Sequence, residues 1–361
     1  MPRPTLYAAI TNHGFGHATR TAAVLAEIQR QYPDVLLILA TGAPRWLLDL
    51  YLPAGFIYRP CTFDIGAVQS HGFNIDKGAT LQSLRQIQAR ERQLIAAEVT
   101  FIQQNQVDLI LGDIPPLIAK VAEAAGIPCW MSSNFGWDLI YQDWGDEFAD
   151  IVDWVQDCFS RCDRLFRLPF HEPMSAFKNI VDVGLTGAGP KIPAEDLRSK
   201  LGLTAAPEKT VLLTFGGMGL SQMPYHHLRQ FPDWQFITFD SAASSHPNLL
   251  QVSRDAYRPV DLMSLCGRVV SKPGYGTFAE VCRLQVPIVS LPRTDFAEAA
   301  FLIAGMQDHN HHQILEPGEF EQSWDFLHQT PHTPRRSTPL ATNGNQQIAA
   351  AVIDYLKSAN A

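Results

Sequence analysis

The chain has 361 residues, 46% apolar and 18% charged, which is typical of a globular protein of about two domains. Its net charge of −8 argues against a general nucleic-acid binder, because such proteins carry a basic stripe. The six cysteines are irregularly spaced, and no apolar run approaches the ~18 residues of a membrane helix. We therefore expect a cytoplasmic protein with no disulfide framework, no integral membrane segment and no nucleic-acid partner.

In the first half of the sequence, short β-rich runs alternate with helical stretches. This pattern predicts a parallel α/β sheet with right-handed crossovers. The predicted strands are 6–10, 35–40, 109–111 and 129–132, and the predicted helices are 19–31, 80–105 and 117–125. Residues 1–183 are thus predicted to form a Rossmann-like domain.

Glycines and prolines are scattered through residues 184–209, which we predict to be a linker. The α/β rhythm then restarts in a second Rossmann-like domain, residues 210–345, and residues 346–361 form a closing helix expected to pack back across the domains. The predicted strands of the second domain are 210–215, 234–239, 268–271 and 286–291. Sites in such sheets lie at the carboxyl ends of the strands, here facing a shared cleft.

The first candidate site is the run 11–20, TNHGFGHATR, which follows the first strand and opens the first helix. Gly14 and Gly16 allow backbone N–H groups to approach a ligand, and a helix N-terminus favours anions. The run is not the G-x-G-x-x-G dinucleotide fingerprint. A histidine at this edge, such as His17, either acts as a general base or simply packs the turn.

Asp113 ends a strand of the same domain and can orient an imidazole, or else cap the following helix. No G-x-S-x-G nucleophile motif accompanies it. Arg20 lies one helical turn from His17, where it meets a phosphate or an anionic acceptor, or is simply a solvated helix residue. Asn134 and Trp137 follow another strand; they line the acceptor side of the cleft, or the aromatic ring packs against a helix.

The predicted second domain contains two glycine-rich turns after strands. One is the loop at Gly216 and Gly217, and the other leads into a helix at residues 274–280. The start of that helix can bind a diphosphate, with the Glu280 carboxylate on ribose hydroxyls. Alternatively, Thr277 and Glu280 form a capping box. Neither turn is a P-loop, because the Gly-Lys-Ser/Thr ending is missing.

Two groups of residues invite a metal interpretation, which we reject. Cys158 and Cys162 lie one helical turn apart, but a zinc site needs four ligands, so these thiols are expected to pack in the interior. The run 308–312, DHNHH, has no partners at helical spacing and is predicted to be a loop. No residue of the chain is therefore predicted to bind a metal ion.

The turns described above resemble GT-B fold glycosyltransferases, including the peptidoglycan-precursor family (family 28) and the UDP-glycosyltransferases. The chain is still more similar to the N-terminal, glycosyltransferase-like region of plant L-arabinokinases, without the kinase domain that follows it there. The motifs that resemble this region are GFGHATR at 14–20, TGAP at 41–44, NFGWD at 134–138 and GYGT at 274–277.

The resemblance implies an α/β GT-B architecture, two Rossmann-like domains with parallel sheets facing a central cleft, and roles for particular residues. His17 matches the acceptor base, Asp113 its carboxylate partner and Glu280 the ribose-binding glutamate. The usual Asp/Glu-Gln pair of the donor-sugar site is absent, so the sugar is left open. The other donor-side residues implied are Gly216, Gly217, Gly274, Gly276, Thr277, Asp295 and Glu298.

The resemblance also implies inverting sugar transfer from a nucleotide-diphosphate sugar, most simply a UDP-sugar, to a hydroxyl of a small molecule, lipid or glycan. The donor is a cosubstrate, and neither a further cofactor nor a metal ion is implied. Peripheral membrane contact is compatible with the family. The alternatives are a non-catalytic nucleotide-sugar binding module and a UDP-sugar epimerase or hydrolase of the same fold.

Overall fold

The computed structural model describes residues 3–53, 55–71, 74–216 and 223–360. The strands in this part of the chain, in order, are β1 (Thr5–Ile10), β2 (Leu36–Ala40), β3 (Ile57–Arg59), β4 (Gln69–His71), β5 (Asn74–Ile75), β6 (Leu109–Asp113), β7 (Cys129–Ser133), β8 (Arg164–Arg167), β9 (Ile180–Asp182), β10 (Thr210–Leu213), β11 (Gln235–Thr238), β12 (Leu249–Gln251), β13 (Arg268–Ser271), β14 (Ile288–Ser290) and β15 (His312–Ile314).

The α-helices alternate with these strands. They are α1 (Gly16–Gln31), α2 (Arg45–Tyr51), α3 (Lys77–Ala89), α4 (Glu91–Gln104), α5 (Leu117–Ala125), α6 (Trp137–Asp143), α7 (Ala149–Phe159), α8 (Ala194–Leu201), α9 (Pro259–Met263), α10 (Tyr275–Leu284), α11 (Glu298–His309), α12 (Glu319–Gln322) and α13 (Gly344–Ala359). None of the described helices is both long and apolar enough to cross a bilayer.

Two parallel sheets organise the molecule, as predicted. The first has the order β3-β2-β1-β6-β7-β8-β9, and the second has the order β12-β11-β10-β13-β14-β15. In each sheet the strand order reverses once, between β1 and β6 and between β10 and β13. Ligands of open α/β sheets bind outside the carboxyl ends of the strands at such reversals, so the topology marks two places for a site.

The central strands are apolar on both faces because helices cover both sides of each sheet. All six residues of β1 are buried, as are all four of β10. The closing helix α13 packs on α1, with Ile348, Val352 and Leu356 among its buried residues. Helix α13, at the C-terminal end of the described residues, thus packs on the first half of the molecule although it follows the second half in sequence.

The structure corrects three predicted elements. The helix predicted at 80–105 is two helices, because Arg90 leaves helical geometry and its N–H group bonds to the carbonyl of Ile87. Helix α1 begins at Gly16 rather than at residue 19, so His17 is helical. The predicted linker 184–209 contains α8, which a polar, glycine- and proline-rich composition concealed.

Candidate active site

A cleft of about 200 Å³ lies between the carboxyl edges of the two sheets. The loops after β1, β10, β13 and β14 line it, so both strand-order reversals face the same space. Of the predicted residues, the cleft is lined by Gly14, Gly16, His17, Arg20, Gly216, Gly274, Gly276, Thr277, Glu280 and Glu298. Gly217 lies outside the described residues.

His17 and Asp113 come together although 96 positions separate them. Ile10 at the end of β1 pairs in register with Asp113 at the end of β6, so the turn after β1 starts beside this carboxylate. The His17 Nδ1 atom lies 2.8 Å from the Asp113 Oδ1 atom, and both side chains are buried. Arg20 Nη2 also lies 3.0 Å from Nδ1, but Nη2 already donates to Asp113; a proton on Nδ1 completes the bond to the carboxylate and leaves Nε2 as the acceptor nitrogen of the imidazole.

Arg20 is neither solvated nor a free anion-binding group, contrary to both sequence interpretations. It is 4% exposed, and its Nε and Nη2 atoms donate to the two oxygens of Asp113 at 2.7 and 2.5 Å. Thr21 also donates to this carboxylate. Burial alone raises the pKa of Asp113, but the charges and hydrogen bonds of Arg20 and His17 hold it well below its usual range. Asp113 is therefore a carboxylate, and it does not cap α5, which begins without a side-chain cap.

Asn134 and Trp137, predicted on the acceptor side, are fully buried behind the cleft. Asn134 accepts from Arg20 Nη1 at 2.9 Å and donates to Glu298 Oε1 at 2.8 Å, so it links the two halves of the molecule. The Trp137 indole packs against the rings of His13 and Tyr141. These residues support the site rather than line it, because the two halves of the molecule bury the end of β7 from solvent.

His13, the other histidine of the first turn, also lines the cleft. Its ring stacks on Phe296 from the second half, with the ring centroids 5.5 Å apart, and its Nδ1 atom accepts from the Ala67 N–H group at 3.3 Å. Burial and the nearby charges of His17, Arg293 and Lys272 lower the pKa of His13 well below its ordinary value. His13 is therefore a neutral ring that joins the two halves.

The N-terminus of α10 faces that of α1 across the cleft. A methyl group placed on Gly276 would lie 3.9 Å from the Cα atom of Gly16, in ordinary van der Waals contact, so the two helix starts lie close together. The N-cap residue is Gly274, no side chain among the described residues caps the helix, and its first turn lines the cleft, so the N-terminus of α10 is placed to bind an anion there. Thr277 lies inside the first turn, and the alternative capping box with Glu280 is not formed.

Glu280 is a buried carboxyl group that lines the cleft. Burial raises its pKa to about 8, although the charges of Arg258 and Arg283 act in the opposite direction. Arg258 forms its own ion pair with Asp261, at 2.6 Å, and so does not neutralise Glu280. No ion pair of Glu280 is found among the described residues, so its carboxyl group can hydrogen-bond to the hydroxyl groups of a ligand.

The sequence interpretation missed the cationic residues of the cleft: Arg254, Arg258, Lys272 and Arg293. Lys272 directly follows β13, and burial next to Arg293 lowers its pKa to about 8. The rule that sites lie after strands would have found Lys272 and Arg293, which both follow strands. Nothing local in the sequence indicates Arg254 or Arg258.

The two acidic residues predicted near the donor sugar have separate environments. Glu298 begins α11, lines the cleft and is fixed by Asn134. Asp295 lies outside the cleft lining; its carbonyl accepts from the Trp144 indole at 3.3 Å, and its carboxylate is 4.0 Å from Arg293 Nε. The turn between β14 and α11 therefore directs Arg293, rather than Asp295, into the cleft.

Within the described residues, no group of three or more His, Cys, Asp or Glu side chains is arranged to hold a metal ion. Cys162 Sγ donates to the carbonyl groups of Cys129 and Arg164, and Cys158 is buried. In the run 308–312, His312 belongs to β15 and pairs with His332 in an isolated bridge, while Asp308 binds Arg335 and Arg336.

No family model matches this chain. L-arabinokinase from Arabidopsis thaliana is 30% identical over 304 residues, which is 81% of this chain but only 28% of that protein. The chain thus spans little more than a quarter of the curated relative that it matches.

Solved structures match over almost the whole chain. UGT89C1 of Arabidopsis thaliana complexed with quercetin has a TM-score of 0.59 at 16% identity, covering 99% of this chain and 94% of that one. UGT2 of Phytolacca americana with UDP-2-fluoro-glucose and pterostilbene has a TM-score of 0.59 at 13% identity, covering 99% and 95%. A UDP-glucosyltransferase from Polygonum tinctorium capable of glucosylating indoxyl has 0.58 at 11%, covering 100% and 94%.

Proposed function

Starting from the GT-B fold of the UDP-glycosyltransferases, which this chain has, we propose that it is an inverting glycosyltransferase that uses a UDP-sugar. Residues 1–183 would bind the acceptor, residues 210–345 the donor, and residues 184–209 link them. The observation that carries the proposal is that the His17–Asp113 pair and the uncapped N-terminus of α10 face one cleft.

In this mechanism His17 removes the proton from the acceptor hydroxyl as that oxygen attacks the anomeric carbon. The new bond forms on the face opposite the departing UDP, which inverts the configuration. Asp113 accepts the Nδ1 proton in a hydrogen bond, so it holds the imidazole in the tautomer whose Nε2 is basic and stabilises the imidazolium that results.

The departing diphosphate accumulates negative charge as the sugar–oxygen bond breaks. The N–H groups at the start of α10 and the Lys272 ammonium group would stabilise this charge, with Gly276 allowing close approach. These fixed groups supply the electrostatic stabilisation that a divalent ion supplies elsewhere, which is the basis for proposing a metal-independent enzyme.

An apolar wall on α1 and α2 favours an acceptor with apolar surface. Phe15, Trp46, Leu47 and Leu50 line the cleft on the side of the first sheet, and the Trp46 side chain, 36% exposed, stands at its edge. Aromatic and aliphatic walls of this kind bind a small molecule through its apolar area, while polar groups fix its orientation. Small-molecule acceptors therefore fit this wall better than hydrophilic glycans.

The function is tested by incubating the protein with UDP-sugars and a panel of aromatic alcohols, and by measuring UDP release together with the glycosylated product. Transfer predicts that UDP and product form in equal amounts. UDP release without product would identify a hydrolase, and an altered sugar still attached to UDP would identify an epimerase. Calorimetric binding of UDP without any turnover would identify a binding module.

We expect Lys272→Met to weaken UDP binding by tenfold or more and to leave uridine binding nearly unchanged. The reason is that the ammonium group serves the diphosphate, which uridine lacks. Calorimetric titration of both ligands gives the two affinities. Equal losses for UDP and uridine would show that Lys272 supports the structure of the cleft rather than the diphosphate.

We expect Glu280→Gln to weaken UDP binding about tenfold and also to raise the thermal stability of the ligand-free protein at pH 7. The pKa of Glu280 is about 8 in the folded protein and about 4.3 in the unfolded chain. As the pH rises from about 4.3 to about 8, ionisation of this group in the unfolded chain therefore lowers the stability of the folded protein. Glutamine removes this cost, so the gain should vanish near pH 4. Calorimetric UDP binding and unfolding temperatures at pH 4 and 7 measure both effects; unaltered UDP affinity would contradict the ribose role.

A further inference from the structure

One arginine of the cleft is buried with two of its nitrogen atoms lacking hydrogen bonds. The Arg293 side chain is only 7% exposed, yet its Nε and Nη2 atoms have no hydrogen-bond partner among the described residues. Its nearest carboxylate, Asp295, lies 4.0 Å from Nε, which is too far for a hydrogen bond. Burying a guanidinium group without partners is costly, so this arrangement indicates a ligand.

The two unpartnered atoms identify the chemistry of that ligand. Nε and Nη2 form one edge of the guanidinium plane, and this edge matches two oxygens of a carboxylate or of a phosphate group. The protein itself uses this edge twice in buried pairs: Arg20 binds Asp113 through it at 2.7 and 2.5 Å, and Arg258 binds Asp261 through it at 2.8 and 2.6 Å.

Arg293 lies one strand further along the sheet than the proposed diphosphate site, beside Lys272, whose pKa its charge lowers. It follows β14, whereas α10 and Lys272 follow β13. Its guanidinium carbon lies 4.0 Å from the centroid of the Phe296 ring, and that ring stacks on His13 of the opposite half. Arg293 therefore lies close both to Lys272 and to the turn that carries His17, where a sugar linked to the proposed diphosphate would reside.

We propose that Arg293 binds the carboxylate of the transferred sugar, so that the donor is a nucleotide-linked uronic acid. This inference rests on the proposed use of a UDP-sugar and adds the class of sugar. Arg293 belongs to the half assigned to the donor. A neutral hexose has no carboxylate to accept two hydrogen bonds from the guanidinium edge, so it should bind more weakly than a uronic acid. Phe296 holds the guanidinium plane from one side.

The test compares calorimetric affinities for UDP, for UDP-glucuronate against UDP-glucose, and for UDP-galacturonate against UDP-galactose. At least one uronate should bind ten times more tightly than its neutral partner. Arg293→Met should abolish that preference and change UDP affinity less than threefold, and Arg293→Lys should retain only part of the preference, because an ammonium group lacks the planar edge. Arg336→Met, at an exposed arginine outside the cleft, is the matched control and should alter nothing.

The unfolding temperature of the ligand-free variant provides a second measurement. Arg293→Met should unfold at or above the wild-type temperature, because the change removes a buried charge whose Nε and Nη2 atoms make no hydrogen bond among the described residues. Marked destabilisation would show that Arg293 is a structural residue and would overturn the inference. Equal affinity for uronates and neutral sugars, or an equal loss of UDP affinity in the variant, would overturn it too. Failure of UDP itself to bind would contradict the proposed function, and the inference with it.

Discussion

Replacing His17 by alanine is expected to lower the rate of sugar transfer about 10²–10⁴-fold, the range that a general base contributes. UDP affinity should stay within about twofold of wild type, because His17 lies on α1 whereas the proposed diphosphate site is on α10. Initial rates with saturating donor and acceptor, together with calorimetric UDP binding, separate the two effects.

The matched control is His311→Ala, at an exposed histidine after α11, which should leave the rate unchanged. His13 provides a sharper comparison, since it lines the same cleft but stacks on Phe296 and accepts from a backbone N–H group through Nδ1. If the His17 variant keeps full activity while a His13 variant loses it, the assignment of the base is wrong.

Asp113→Asn is expected to have two separate effects. It should destabilise the protein by about 3–5 kcal/mol, because the buried Arg20 guanidinium loses its charged partner. It should also lower transfer, because asparagine does not hold the Nδ1 proton of His17 as a carboxylate does. Denaturant unfolding and initial rates measure the two effects independently.

The exposed pair of Arg167 and Asp182 is the control for this change. It has the same two-bond geometry, at 2.6 and 3.0 Å, but the Asp182 side chain is 64% exposed. Asp182→Asn should therefore cost no more than about 1 kcal/mol. Similar losses from both variants would contradict the view that the burial of Asp113 decides the energetics.

A double variant separates stability from chemistry. Arg20→Met combined with Asp113→Asn removes both charges, so it should recover much of the stability that Asp113→Asn loses. It should recover no activity, because the His17 imidazole still lacks its carboxylate. If activity returned with stability, Asp113 would act only by keeping the site folded.

The low pKa of Asp113 sets the pH range of its contribution. Its folded-state pKa lies below the unfolded value of about 3.9, so the stabilisation is present at neutral pH and is lost as the pH falls through the folded-state pKa. The difference in unfolding temperature between wild type and Asp113→Asn should consequently narrow below about pH 4. A difference that widens with acid would contradict the ion pair with Arg20.

Arg20 shows how a short-range pattern failed at this site. One helical turn separates it from His17, and this spacing suits a residue facing either ligand or solvent. The structure instead buries it, because Asp113, Ser133 and Asn134 from two other strand ends converge on the same guanidinium group. Asn134 was predicted to line the acceptor side for the same reason, whereas Trp137 follows the alternative prediction that its ring packs in the interior.

The two parallel sheets were predictable from the sequence, since β-rich runs that alternate with amphipathic helices leave little choice of architecture. The sequence also predicts sites at His17 and Asp113, because polar residues directly after buried strands lie at the sheet edge where ligands bind, and the resemblance adds Glu280. The partners of these residues become visible only in the folded chain. The Asp113 carboxylate is bonded by both His17 and Arg20, whereas the guanidinium edge of Arg293 has no such partner in the described part of the chain. Long-range packing, which local periodicity does not encode, sets which charges meet.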